Sequence, residues 1–249
     1  MASCQVLVQT PKSSTSYSLL LTTEPDHVRA AQRLRHRVFT TEFGALLSGP
    51  EPGLDIDRFD AFCDHLVVRD DSTGAIVGTY RLLSPAGAAA AGGLYADTEF
   101  DLGPLDELRP GLVETGRSCV DPGHRTGAVV GLVWSGLGRY LLLTGNRWLV
   151  GCASVSLADG GATAAGVWHR VRERNLAPSR YRVDPRRPWP VPRSTGRGPV
   201  PPLLRGYLRL GAWVCGPPAH DPEFRCADFP VLLGVDHLDP RYGRHFLGG

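Results

Sequence analysis

Lysine and methionine are almost missing from this chain. Met1 is the one methionine of 249 residues, and Lys12 is the one lysine among 27 Lys and Arg. With 30 glycines and 21 prolines, this bias reflects a GC-rich coding sequence and carries no chemistry. An uncharged apolar run of the roughly 18 residues that a bilayer requires is missing too. The nearest, residues 126–145, holds Arg139 and is dotted with Gly127, Gly131, Gly136 and Gly138, so no span is expected. No basic segment leads into an apolar one at the start, so no secretory leader is read there. None of Cys4, Cys63, Cys119, Cys152, Cys215 and Cys226 lies in a C-x-x-C pair, which excludes a zinc ribbon or a thioredoxin motif. They are expected as reduced thiols of a cytoplasmic protein. Cys215, His220 and Cys226 fit no standard finger spacing, and no metal is expected. The net charge of +2 singles out no class of partner.

What is present suffices for a core. Hydrophobic residues make up 42 % of the chain, which excludes wholesale disorder. Residues 1–14 are polar and read as a mobile tail, with one domain over 15–249. Strand patterns fall at 17–21, 65–68, 75–83, 112–120 and 148–157, with closing strands at 214–216 and 230–235. Helical spacing places Val28, Ala31, Leu34 and Val38 on one stripe, after Thr23 as N-cap and Pro25 in the first turn. Further helices are read over 127–143, 162–174 and 203–210, and the alanines and glycines of 86–93 read as a loop. An arginine- and proline-rich excursion covers about 175–202. Residues 170–197 hold nine arginines against Glu173 and Asp184, a local charge of +7 in a chain of +2. With only Tyr181 and Trp189 as stacking residues there, nucleic acid is not expected as a partner. The element order implies an α/β fold, a mixed sheet flanked by helices.

Two clusters can carry chemistry. Asp55, Asp57, Asp60 and Asp64 interleave with Phe59 and Phe62 just before a strand. They read as a metal site, as a grip on a cationic substrate, as a solvated loop, or as partners of Arg35, Arg81 and Arg117. Glu114 and Arg117 lie on one apolar strand, and alternation puts them on opposite faces unless a bulge near Gly116 brings them together. The chain then enters a helix through Arg125, Thr126, Gly127 and Ala128, whose free N–H groups can receive an anion. Cys119 invites reading as an acyl-enzyme nucleophile, but no His-Asp companion is evident.

The strings RLRHRVFTTEF, DIDRFDAFCDHLVV, GTYRLL, ETGRSCVDPGHRTGAVVGLVW, LLRGYLRLGAWVCGPPAHDPEF and DFPVLLGVDHL together resemble one family. It is the ornithine-lipid branch of the GNAT acyltransferases, the hemolysin-like L-ornithine Nα-acyltransferases, related to acyl-homoserine-lactone synthases. The resemblance spans residues 17–248 and implies a GNAT-like fold with a mixed, mostly antiparallel central sheet. It carries over to Arg35 and Phe39 on the first helix, the paired Asp57 and Asp60, Arg81 in GTYRLL, and the E-x-x-R of Glu114 and Arg117. The phosphate loop departs from the acetyl-CoA pattern: one residue separates Arg125 from Gly127, and Ala128 follows.

The implied reaction moves a long 3-hydroxy fatty acyl group from acyl carrier protein to the α-amine of ornithine, giving a lyso-ornithine lipid. No cofactor is expected to be bound, the donor being an acyl-phosphopantetheine thioester on the carrier or on coenzyme A. In this reading Glu114 takes the amine proton, with Arg117 beside it. N–H groups from Ser118 to Val120 polarise the thioester, and Arg125, Thr126, Gly127 and Ala128 hold the phosphopantetheine. Arg35, Phe39, Asp57, Asp60 and Arg81 hold the amino acid, or pair with each other and brace the loop. Acyl carrier protein and the inner face of an anionic membrane are the expected partners. A lactone synthase using S-adenosylmethionine, and a non-catalytic acyl-carrier or membrane-surface module, are the competing readings.

Overall fold

Eleven strands form among the described residues. They are β1 (Cys4–Gln9), β2 (Tyr17–Thr22), β3 (Asp64–Asp70), β4 (Ile76–Leu83), β5 (Phe100–Asp101), β6 (Leu112–Val120), β7 (Trp148–Ser156), β8 (Asp184–Pro185), β9 (Trp213–Val214), β10 (Ala219–Asp221) and β11 (Cys226–Gly234). The central ones, such as β4 and β11, are buried along nearly their whole length. The helices are α1 (Pro25–Glu42), α2 (Pro85–Ala91), α3 (Gly127–Thr144), α4 (Ala162–Arg174) and α5 (Pro202–Leu210). The structure is a computed structural model that describes residues 3–10, 16–192 and 198–241.

The main sheet runs β1-β2-β3-β4-β6-β7-β11-β10, with β9 also on β11, while β5 and β8 form a separate ribbon. All its pairings are antiparallel except β6 with β7, the mixed and mostly antiparallel sheet expected. Period-2 alternation sends neighbouring side chains to opposite layers. Leu19, Leu66 and Val68 pack with Leu132, Val133 and Leu137 of α3, while Leu20 and Val67 pack with Ala31 of α1. Val167 of α4 and Leu204 of α5 join the α3 layer. The α1 layer continues through Phe100, Leu105, Tyr181 and Val183, which pack on Val150 and Leu232 of the sheet.

Three expectations are corrected. Residues 4–9 of the supposed tail are β1, paired with β2 from Cys4↔Thr22 to Gln9↔Ser18. Leu7 is buried, and the pairing covers backbone groups that β2 would otherwise expose as an edge; residues 1, 2 and 11–14 lie outside the described residues. The alanine-rich stretch is the helix α2, not a loop. Ser84 caps it by accepting from the Gly87 N–H, Pro85 occupies its first turn, and Gly92 ends it in the left-handed region. The N-cap of α1 is Glu24 rather than Thr23, and it makes no side-chain cap.

The excursion after α4 is irregular and anchored. Tyr181, Val183 and Trp189 are buried, and β8 pairs with β5. Residues 193–197 of it lie outside the described residues. By length and composition α3 is apolar enough to cross a membrane, and its Val129, Leu132, Leu137 and Tyr140 are buried on the sheet.

Candidate active site

The fork between β6 and β7 makes the site. They pair only from Leu112↔Trp148 to Glu114↔Val150; then β7 follows β11 while residues 115–120 of β6 keep β4 alone. Gly151 sits at the point of divergence, where a Cβ would meet the Thr115 carbonyl oxygen at 2.4 Å. No other residue fits there without moving a strand.

On the β4 side the register shifts. Thr79 pairs with Cys119 and Arg81 with Gly116, so Arg117 and Ser118 together oppose Tyr80. This is a β-bulge, and Arg117 adopts a φ of 53°, in the left-handed region that non-glycine residues rarely enter. The extra residue undoes the strict alternation, and Glu114 and Arg117 line the same cavity.

That cavity, about 530 Å³, passes through the fork. Toward α3 and α5 its walls are apolar: Val130, Val133, Trp134, Pro202 and Leu203. Toward α1 they are aromatic and charged: Phe39, Phe59, Tyr95, Phe224, Asp221 and Asp228. Tyr80, Thr115 and Tyr207 form a buried hydroxyl cluster beside it, with Thr115 Oγ1 3.0 Å from the Tyr207 hydroxyl.

Glu114 is buried, and both of its oxygens accept backbone N–H groups, from Tyr95 and Ala96, at 2.7 Å each. Burial pushes its pKa up to about 7 against the lowering effect of those donors. A carboxyl balanced there can accept a proton near neutral pH. Neither Tyr95 nor Ala96 stood out in the sequence, because the groups that act are main-chain.

The aspartates and arginines expected to grip substrate pair with each other. Arg35, fully buried, holds Asp55 at 2.8 Å and Asp60 at 2.9 Å. Arg81 reaches Asp57 at 2.6 Å and Asp60 at 3.5 Å. Arg117 bridges Asp57 at 3.1 Å and Asp55 at 3.3 Å, with its guanidinium over the rings of Tyr95 and Phe224. Burial opposes ionisation of Asp57, but Arg81 and Arg117 outweigh it and hold its pKa below the usual range. Three cations meet three anions, so the network is locally neutral, and the bracing alternative fits this geometry. Arg81, Arg117 and Phe39 also face the cavity.

At the rim, Arg125 donates to the Val120 carbonyl at 3.1 Å and to Glu42. The Thr126 hydroxyl caps α3 by accepting from Val129 N–H, and Gly127 and Ala128 are exposed in the first turn. Their N–H groups have no helical partner, as at any helix start. Burial pushes the Cys119 thiol up to about 12, which removes the thiolate a nucleophile needs. Cys215, His220 and Cys226 do not converge on a common point.

The comparisons agree with this architecture. A family profile described as an acetyltransferase (GNAT) domain matches residues 34–135. The chain resembles the AHL synthase LasI, with a TM-score of 0.54 at 15 % identity over 96 % of this chain and 97 % of that one. It also resembles FeeM, an N-acyl amino acid synthase from uncultured soil microbes, with a TM-score of 0.54 at 14 % identity over 90 % and 92 %. These likenesses speak for the fold. In sequence it is 37 % identical to the L-ornithine N(alpha)-acyltransferase of Rhizobium meliloti, over 88 % of this chain and 80 % of that protein. It is 33 % identical to the protein of the same name from Rhodobacter capsulatus, over 91 % and 93 %. With 33 % and 37 % identity to these proteins across most of both lengths, this chain belongs to the L-ornithine N(alpha)-acyltransferase family on the GNAT fold.

Proposed function

We propose that this enzyme transfers a long 3-hydroxy fatty acyl group from acyl carrier protein to the α-amine of L-ornithine, releasing a lyso-ornithine lipid. The observation that carries the reading is the placement of Glu114. Its carboxyl, poised near neutrality, stands at a fork whose one side is an apolar tunnel and whose other side is polar.

The acyl chain occupies the apolar side, along Val133, Trp134 and Leu203. The phosphopantetheine phosphate sits at the start of α3, by Arg125, Thr126, Gly127 and Ala128. Asp121 N–H donates to the Val77 carbonyl, so alternation directs the neighbouring Val120 N–H away from β4, into the fork. There it polarises the thioester oxygen. The α-ammonium, with a pKa of about 8, gives one proton to Glu114 through water. The free amine attacks the thioester carbon, the tetrahedral intermediate collapses, and the carrier thiolate leaves and takes up a proton. Arg117 stays paired with Asp55 and Asp57 and fixes the bulge that orients this segment.

The family relatives named for ornithine support the acceptor. The short loop after Arg125, and the arginines of residues 170–187, support a carrier-protein donor with one accessible phosphate and an acidic surface. The test is mass spectrometry of lipid extracts from cells expressing the protein, beside purified enzyme offered ornithine with matched acyl-carrier and acyl-CoA donors. N-acylornithine formed with higher kcat/KM from the carrier is expected. Equal or better use of acyl-CoA overturns the donor assignment, and no acylornithine from either overturns the acceptor.

A further inference from the structure

The polar side of the cavity ends on carboxyls that the arginine network does not reach. Asp228 of β11 is 2 % exposed, stands opposite Ser154 of β7, and lines the cavity with Asp221 of β10. Glu99, just before β5, lies beside them: a carboxylate oxygen of Glu99, one of Asp228 and the Cys152 sulfur fall within 4.8 Å of one another. Asp221 Oδ1 accepts the N–H groups of Glu223 and Phe224, and its Oδ2 accepts the Tyr95 hydroxyl at 3.4 Å. Asp228 Oδ1 accepts the weak Cys226 thiol at 3.4 Å.

Among the described residues no arginine, lysine or histidine forms an ion pair with any of these three acids, whereas Asp55, Asp57 and Asp60 are all paired. Burial and the neighbouring Asp228 and Asp221 push the Glu99 pKa well up, so Glu99 keeps its proton and hydrogen-bonds Asp228, which carries the negative charge of the pair. The groups around the cluster, Tyr95, Cys152, Ser154 and Cys226, are polar and none is positive. Buried carboxyls without a cation are unfavourable. Asp228 and Asp221 face the cavity, with Glu99 behind them, so a cation entering with a ligand would relieve the deficit.

We propose that Asp228, with Asp221 and Glu99, binds the side-chain ammonium of the acceptor and so selects a diamino acid over a neutral one. This rests on the ornithine reading above and deepens it. Strand geometry supplies the spacing. Glu114 is paired with Val150 and Asp228 with Ser154, four residues further along β7. Val150, Cys152 and Ser154 share one face, so the two carboxyls are offset by on the order of 13 Å along the strand before their side chains reach toward each other. An extended diamino acid, with its α-amine at Glu114 and its terminal ammonium at Asp228, fits between them. The ammonium offers three donors to the acceptor oxygens gathered there.

The experiment compares ornithine with norvaline, which has the same carbon chain and no terminal amine, using one acyl donor and the full-length enzyme. Wild type is expected to favour ornithine by about a hundredfold in kcat/KM. Asp228→Asn is expected to shrink that ratio by about tenfold or more, chiefly through KM for ornithine. An unchanged ratio in the variant overturns the proposal. If Asp228→Asn does not fold, the wild-type ratio decides alone, and norvaline used as well as ornithine overturns the proposal. Loss of ornithine transfer on chelation, restored by a divalent cation alone, also overturns it and makes the cluster a metal site. Transfer to neither amino acid overturns the ornithine reading itself, a result distinct from loss of the preference.

Discussion

At Glu114 two opposing effects nearly cancel. Burial favours the protonated carboxyl, the N–H groups of Tyr95 and Ala96 favour the carboxylate, and the balance is a pKa of about 7. Wild-type kcat/KM should therefore climb with pH through about 7 as Glu114 ionises. In Glu114→Gln, kcat should fall by about 10² to 10⁴ with little change in KM for ornithine. A full set of pH–rate profiles checks this, and an unaltered kcat would leave Glu114 as a brace. The same shift has a stability sign. The folded state holds this proton up to about pH 7 while an ordinary glutamate loses it near 4.5, so Glu114's contribution to stability declines as pH rises between those values. The sequence singled out Glu114 from its place on an apolar strand. It named Arg35, Arg81 and Arg117 as candidate partners of Asp57 and Asp60 but left that pairing open beside a grip on substrate, because spacing within one loop does not decide which distant cations meet it.

Among the elements, β6 shows how one inserted residue matters more than the strand around it. Without the bulge, Glu114 and Arg117 would point to opposite layers; with it, both reach the cavity. A left-handed non-glycine residue costs roughly 1 to 2 kcal/mol, and the pairs from Arg117 to Asp55 and Asp57 hold it in place. β1 carries a plainer test. Leu7 is 6 % exposed within the core cluster that includes Tyr17 and Leu19. Leu7→Ala should lower stability by about 2 to 5 kcal/mol, measured by urea unfolding, whereas a residue in a mobile tail would change nothing. The short strand CQVLVQ escapes a local reading because the polar segment TPKSSTS follows it and its pairing partner is the first apolar strand. The helix α2 escapes a local reading because alanine and glycine carry no apolar periodicity, although Ser84, Pro85 and Gly92 mark both of its ends.

Across the whole molecule, charge is unevenly spread. Residues 170–197 carry +7 and the remainder of the chain is net negative. Arg180, Arg182, Arg186 and Arg187 are all exposed, but Arg182 and Arg186 are tied to the carbonyls of Ala177 and Asp97. Arg180 and Arg187 are therefore the residues to reverse. In Arg180→Glu with Arg187→Glu, kcat/KM for the carrier-bound donor should fall several-fold at low salt and converge on wild type as salt rises, since exposed charges are screened beyond roughly 8 Å at physiological salt. Liposome binding measured alongside assigns any residual effect to an anionic membrane. Wild-type salt dependence in both assays would leave the stretch as a solvated loop.

Periodicity along the chain determined the long elements: β6 over Leu112–Val120 and α4 over Ala162–Arg174 lie where their patterns placed them. The reason is that each buries one face, and burial imposes a repeat that is visible locally. Residue identity likewise marked Glu114, Arg117 and the helix start at Thr126. Only the tertiary structure decided what these groups touch. The bulge at Arg117, the closed network from Arg35 to Asp60, the main-chain grip on Glu114, and the meeting of Glu99 with Asp228 all join residues far apart in sequence. Such pairings depend on strand register and on which layers close over the sheet, and both are settled by packing rather than by any local pattern.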